Sequence, residues 1–335
     1  MSSVTIKEVA KEANVSFSTV SRVIRNAKNV HPKTRKKVLR AIKKLNYHVD
    51  AGARGMVKRQ TKTIGVCISD ISNPFYPLLV RGVENTINKF GYNLLLCNTD
   101  ENGEKEEVYL KLILEKRVDG LIIAPTGQDI SYLKEFTRRN IPIVFIDRKT
   151  EGIPADAVCA DNVQGAFSAV EHLIKLGHKR VAMIAGLKAV TTTQERIQGY
   201  LEALRAYHIK ADDSLMVEGS SKIEGGIKAT EVLFKLSSPP TAIFSSNNLM
   251  TLGALVALKR LGKNVPKDVA IVGFDDLEWA EVLNSPLTAV SQPTYTIGTT
   301  AAQLLIQRLL GEGPAKKQTI VLKTELIIRR SCGFS

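Results

Sequence analysis

Apolar residues recur along this chain in two rhythms. Over residues 5–45 they follow the helical period in three short stretches. Ile6, Val9, Ala10 and Ala13 mark the first, opened by Thr5-x-x-Glu8, a pattern in which side chain and backbone at a helix start satisfy each other. After a break at Asn14-Val15, Ser16 can cap a second helix whose inner face is Val20, Val23 and Ile24. A third begins near Pro32, a residue suited to a first helical turn, and buries Val38, Ala41, Ile42 and Leu45. Such stripes can close a small helical core. Beyond residue 63 the rhythm changes: short continuous apolar runs alternate with helical spacing such as Val80, Val83, Glu84 and Ile87.

The runs predict strands at Ile64–Ser69, Asn93–Cys97, Gly120–Ala124, Ile143–Ile146, Val158–Ala160, Arg180–Ala185, Ala242–Ser245 and Val269–Phe274, with a further run at Leu287–Ser291. Strands that alternate with helices imply parallel sheets. This body exceeds one comfortable core, so two doubly wound α/β lobes are expected behind an all-α head. The expected divisions are a headpiece at 1–47, a hinge at 48–62, a body at 63–330 and a tail at 331–335. Within the body, lobe 1 takes 63–161 and 291–322, and lobe 2 takes 162–290 and 323–330.

Charge is distributed unevenly over this division. The chain of 335 residues has a net charge of +14. Residues 1–62 contain 16 Lys and Arg against Glu8, Glu12 and Asp50, so +13 of the excess sits in the first fifth. A polyanionic partner for the head follows. The sequence has no apolar run long enough to cross a bilayer, and its start lacks a secretory signal, which reads as cytoplasmic with no membrane partner. Cys67, Cys97, Cys159 and Cys332 lie far apart without a C-x-x-C pair, so neither a disulfide framework nor a metal site is expected.

Two helices joined by a short turn in so basic a segment match a helix-turn-helix. The second would enter the major groove, with Phe17, Ser18, Ser21 and Arg22 on its exposed face. Arg22 can grip guanine, Ser18 can bond several bases, and Phe17 can meet a thymine methyl. Thr5, Ser16, Thr19, Asn29 and Thr34 are small polar groups suited to phosphate oxygens. A basic bundle that binds another protein is the alternative.

Residues 5–23, with Lys33-Thr34-Arg35-Lys36-Lys37-Val38 and Leu45-Asn46-Tyr47, resemble the headpiece of the LacI/GalR family of bacterial repressors. The resemblance implies that Phe17, Ser18 and Arg22 read an operator. Arg25 departs from the Asn common there. It also implies that Ala53-Arg54-Gly55-Met56 is a hinge in which Arg54 contacts DNA and Met56 takes the place of a leucine wedged into the minor groove. Gly52 and Gly55 weaken any helix in this segment, by about 1 kcal/mol each. An ordinary linker is the alternative there.

Ligands of doubly wound sheets bind beyond the carboxyl ends of the strands. The residues found there are carboxylates, amides, arginines and an aromatic pair, a set suited to a hydroxyl-rich ligand. The body is similar to periplasmic sugar-binding proteins, whose ligand positions match Asn73, Phe75, Tyr76, Asp147, Arg148, Arg196, Asn247, Asp275 and Gln292. Each has a plainer reading, as turn, cap or surface ion pair. Asp161 and Asp276 read equally as helix caps, and His172 and His178 as structural. Asn248 stands where the family commonly has Asp, a loss of negative charge that favours a sugar acid or phosphorylated ligand.

The chain contains no phosphate-binding loop, dinucleotide fingerprint, nucleophile elbow or zinc-protease motif, so neither catalytic residues nor a cofactor are expected. The reading is a homodimeric repressor of sugar or sugar-acid catabolism that binds a palindromic double-stranded DNA operator under control of a small carbohydrate-type effector. Lobe closure can bring the hinges together or pull them apart, so corepression and induction both fit. A broader carbon catabolite regulator with a phosphoprotein corepressor is the alternative.

Overall fold

The computed structural model describes residues 4–24, 27, 29–45, 47, 60–127 and 131–333. Arg25, Arg54 and Met56 lie outside them. The chain divides into a unit ending at Thr61 and a second beginning at Lys62.

Among the described residues the first unit holds three helices, α1 (Ile6–Ala13), α2 (Phe17–Ile24) and α3 (Pro32–Lys44). The capping box at α1 is complete: the Thr5 hydroxyl accepts from Glu8 N, and Glu8 accepts from Thr5 N. Asn14, at φ +50°, ends the helix in the left-handed region that Asn tolerates. Val9, Ala10, Ala13, Val20, Val23, Val38 and Ala41 form the core, with Ile6, Ile24, Ile42 and Leu45 half-buried around it.

The second unit has two six-stranded sheets of matching topology. Lobe 1 contains β1 (Thr63–Ile68), β2 (Asn93–Asn98), β3 (Gly120–Ile123), β4 (Ile143–Ile146), β5 (Asp156–Ala160) and β11 (Thr319–Leu322), in the order β11-β5-β4-β3-β1-β2. Lobe 2 contains β6 (Val181–Ala185), β7 (Met216–Glu218), β8 (Ala242–Ser245), β9 (Ala270–Phe274), β10 (Thr288–Ser291) and β12 (Glu325–Ile327), in the order β12-β10-β9-β8-β6-β7. All neighbours are parallel except β10 and β12. The chain passes between lobes after β5, after β10 and after β11.

Helices cover both faces of each sheet. In lobe 1, α4 (Phe75–Asn88) and α11 (Thr294–Leu310) share one core with the sheet, while α5 (Gly103–Glu115) and α6 (Ser131–Arg138) share another. In lobe 2 the pairs are α7 (Asn162–Lys175) with α8 (Thr191–Ala206), and α9 (Ile223–Leu233) with α10 (Asn248–Arg260). Glycines let paired helices touch backbone to backbone. A Cβ on Gly298 would lie 2.1 Å from Leu79 O, and one on Gly82 would lie 2.4 Å from Tyr295 O. The α4 stripe that the sequence marked is shifted: Leu79, Val83 and Ile87 are fully buried, Val80 is half-buried and Glu84 is exposed.

Residues 331–332 are part of the core and not a tail. Ser331 Oγ donates to Ile271 O at 2.7 Å and accepts from Thr288 N at 2.8 Å, satisfying buried backbone groups at the end of the sheet.

Candidate functional site

Strand ends in lobes 1 and 2 face a common cleft of about 590 Å³, its open mouth included. Asn73, Phe75, Tyr76, Asp147, Arg148, Arg196, Asn247, Asp275 and Gln292 all line it. Nine positions scattered over two hundred residues are thus gathered by the parallel topology alone, which puts every strand's carboxyl end on one side.

Two of the carboxylates hold equivalent places. Asp147 directly follows β4 and Asp275 directly follows β9, which occupies the same rank in its own sheet. Both have positive φ, +65° and +72°. Asp is among the few residue types that tolerate this backbone, and the turn directs each acid into the cleft.

Arg148 anchors a buried network in lobe 1. It donates to Glu101 through two nitrogens at 2.7 and 2.8 Å, to Asp147 at 3.2 Å, and to Ser69 Oγ and Tyr76 OH at 3.0 Å each. Tyr76 OH in turn donates to Asp147 at 3.1 Å. Phe75 and Tyr76 meet edge to face, with centroids 5.1 Å apart. Burial pushes the Tyr76 phenol up, keeping it a neutral donor. Burial would also raise the Glu101 carboxyl, but Arg148 takes it below its ordinary value, so the pair is ionised.

In lobe 2, Arg196 lies over Phe274, its guanidinium carbon 3.7 Å from the ring centroid. Its Nε donates to Asn162 Oδ1 at 2.9 Å and Nη1 to Ser246 O at 2.5 Å. Asn247 caps α10, accepting from Met250 N at 2.8 Å while its amide donates to Ser221 O at 3.2 Å. Gln292 donates to Asp275, and burial raises the Asp275 carboxyl against the opposing pull of Arg196. Gln292 Oε1 is buried without a hydrogen-bond partner among the described residues. An acceptor in that position awaits a donor.

The plainer readings sort cleanly. Asp161 caps α7, accepting from Gln164 N at 3.0 Å, whereas Asp276 pairs with Arg329 at 2.7 and 2.9 Å and caps nothing. His172 sits 3.2 Å from Cys332 Sγ, and His178 sits 3.0 Å from Thr241 Oγ1, both away from the cleft. Asn248 does not line the cleft: its amide donates to Asn73 Oδ1 at 2.8 Å, bridging the lobes. It therefore offers a ligand no direct contact and acts on the cleft only through Asn73 and Asp275.

Glu101, Lys222, Asp70, Thr192, Thr193 and Ser221 also line the cleft. Glu101 stands three residues beyond the end of β2, in a polar stretch where the other cleft acids Asp147 and Asp275 directly follow their strands. Lys222 follows β7, a three-residue strand that leaves no readable run. All four cysteines are buried and free. Among the described residues no cluster of metal-ligating side chains occurs, and no helix is long and apolar enough to cross a membrane.

In the head, Phe17 is 63% exposed, and Arg22 and Asn29 are also exposed. Ser16 Oγ is 2.9 Å from both Ser18 Oγ and Thr19 Oγ1 and accepts from Thr19 N, gathering hydroxyls at the start of α2. Thr34 and Ser21 are half-buried, and the Thr5 hydroxyl is engaged with Glu8.

The family model described as "Periplasmic binding proteins and sugar binding domain of LacI family" matches residues 61–328, and "Bacterial regulatory proteins, lacI family" matches residues 5–50. The chain belongs to the LacI family. It is a DNA-binding transcriptional regulator, with a helix-turn-helix head and a two-lobed α/β body. It is 40% identical to catabolite control protein A of Priestia megaterium, over 90% of this chain and 91% of that relative. It is 37% identical to the ribose operon repressor of Halalkalibacterium halodurans, over 98% and 96%. Among solved structures it is similar to the lac repressor dimer bound to operator and the anti-inducer ONPF, with a TM-score of 0.83, 28% identity and coverage of 99% of both chains.

Proposed function

We propose that the cleft binds a neutral, hydroxyl-rich carbohydrate and that this effector controls operator affinity. The supporting observation is that the cleft is rich in acceptors and that its three cations are already engaged. Asp70, Glu101, Asp147, Asp275 and the unpartnered Gln292 Oε1 all accept, while Arg148, Arg196 and Lys222 already donate to protein groups. Sugar hydroxyls supply donors, and a phosphate or carboxylate supplies none. A neutral sugar is therefore favoured over the sugar acid or sugar phosphate suggested by Asn248. The ribose operon repressor and the sugar-binding family description point the same way.

In this reading Asn73, Asp147, Asn247, Asp275 and Gln292 bond hydroxyls, Arg148 and Arg196 orient them, and Phe75 and Tyr76 cover a ring face. Phe17, Ser18, Ser21 and Arg22 read bases, while Thr5, Ser16, Thr19, Asn29, Thr34 and Arg54 fix the backbone and Met56 wedges the minor groove. The protein works as a cytoplasmic homodimer without catalysis, like the lac repressor dimer on its operator. Two heads then meet two half-sites.

Calorimetry of the full chain with neutral sugars, sugar acids and sugar phosphates, followed by operator binding with any hit, tests this. Tight binding of an anionic sugar alone would refute it. Asp275→Asn should weaken sugar binding by about 1.5–3 kcal/mol. The similarity to catabolite control protein A favours a second reading, in which a phosphoprotein corepressor binds the body surface. Operator binding that responds to such a partner and to no sugar would establish that reading instead.

A further inference from the structure

The covalent crossovers between the lobes join one end of each strand order, β5 and β11 to β10 and β12. The opposite ends are β1 beside edge strand β2, and β6 beside edge strand β7. Loops that follow β1 and β7 therefore meet at the side of the cleft remote from the crossovers, where a clamshell opens. There Lys222 Nζ, beyond β7, donates to Asp70 Oδ2, beyond β1. The lysine side chain is 39% exposed and the aspartate 9%, which places the pair at the rim with its acid turned inward.

We propose that this ion pair is a gate that sets effector length: the cleft admits a single sugar ring and refuses a second ring projecting through the mouth. The proposal rests on the reading of the cleft as a carbohydrate site. On this proposal a single ring lies behind the pair and leaves it intact. A two-ring sugar must run through the place where the pair stands and force Lys222 aside.

That displacement is unfavourable because of what remains. Asp70 is fixed in place, accepting from Ser72 N at 2.9 Å and Ser72 Oγ at 2.5 Å. Burial alone would raise its pKa, yet the hydrogen bonds from Lys222 and Ser72 bring it below the ordinary value, so it stays charged at neutral pH. Lys222 also lowers the pKa of Asp100 and Glu101 through its charge. Withdrawing it leaves three carboxylates on adjacent strand-end loops with less compensation. The acid is the fixed post, and the flexible lysine stem is the part that moves.

The experiment titrates the full chain with ribose and glucose, as single rings, and with cellobiose and maltose, as two rings. It compares the parent with Lys222→Ala and Lys222→Arg, each checked by thermal melting. The parent should bind a single-ring sugar about tenfold or more tighter than any two-ring sugar. Lys222→Ala should narrow that gap to about threefold or less by strengthening two-ring binding, and Lys222→Arg should keep it. A gap that persists in Lys222→Ala, or a parent that takes both lengths equally, overturns the gate and leaves the carbohydrate reading standing. Silence from every sugar with every form overturns the carbohydrate reading and the gate together.

Discussion

Arg148 and Glu101 face each other in a two-pronged ion pair, Nη1 to Oε2 at 2.7 Å and Nη2 to Oε1 at 2.8 Å, with both side chains almost wholly shielded from solvent. A partnership this complete leaves little of the arginine's charge for a ligand. Glu101→Gln should release it, and affinity for a sugar acid should rise about tenfold or more in calorimetry. Arg148→Ala should instead cost about 3–5 kcal/mol of stability, because Glu101 and Asp147 would remain buried without their cation. If Glu101→Gln leaves the preference for neutral sugars untouched, the pair does not govern ligand charge.

The packing of α4 on α11 is set by glycine. Gly298→Ala would drive a methyl group against Leu79 O, a backbone atom that cannot rotate away. Urea unfolding of the variant should show a loss of at least about 1–3 kcal/mol, the usual penalty of overpacking. Gly311→Ala is a useful contrast. Nothing lies within 4 Å of its added Cβ, but φ is +75°, so any loss there comes from backbone strain.

Acid should weaken the body through its histidines. Burial lowers the pKa of both His172 and His178, with Lys175 adding to the effect at His172. The folded chain therefore takes up fewer protons than the unfolded chain as pH falls, and stability declines once pH drops through the ordinary histidine value of about 6.5. The double variant His172→Gln, His178→Gln should flatten that decline in urea midpoints measured across the range. An equally steep decline in the variant would assign it to other groups.

In the head, two substitutions touch different properties. Thr5→Ala removes the capping box and should lower head stability by about 1 kcal/mol. Arg22→Ala leaves the core untouched, since its side chain is exposed. It should cost about 1–3 kcal/mol of operator affinity and relax preference at one base pair, as read by selection from random DNA.

The +13 of residues 1–62 makes operator binding strongly dependent on salt. A plot of log K against log salt should fall by roughly 0.9 for each phosphate neutralised. Effector binding to the nearly neutral body should barely respond to the same salt range. A flat DNA plot would overturn the division of labour between head and body.

Much of this architecture is legible in the sequence because burial on both faces turns a strand into an unbroken apolar run. Ile143–Ile146 and Ala270–Phe274 are of this kind, and each announces the acid that follows it. Strands β7, β11 and β12 escape such reading. They are three or four residues long, lie at or beside sheet edges and are half-exposed, so their polar and apolar residues mix. Lys222 was hidden for that reason. Glu101 was hidden differently: Asn98-Thr99-Asp100-Glu101-Asn102 reads as an ordinary polar loop. Only the fold shows that two residues with positive φ, Asp100 and Glu101, turn it toward Arg148. The side chain of Asn248 was visible, but its direction was not.

The chain's three passages between lobes also bear on how it is made. Strand β5 leaves lobe 1 after residue 160, yet that lobe still lacks α11 and β11, which come from residues 294–310 and 319–322. Helix α11 contributes Ile297, Ala301, Ala302, Leu305 and Ile306 to the same core as Ile64 and Val66. During synthesis that core stays unfinished until residues 294–322 have been made, while the head has long since been free to fold. A nascent chain stalled near residue 290 should carry a protected head and a protease-sensitive lobe 1.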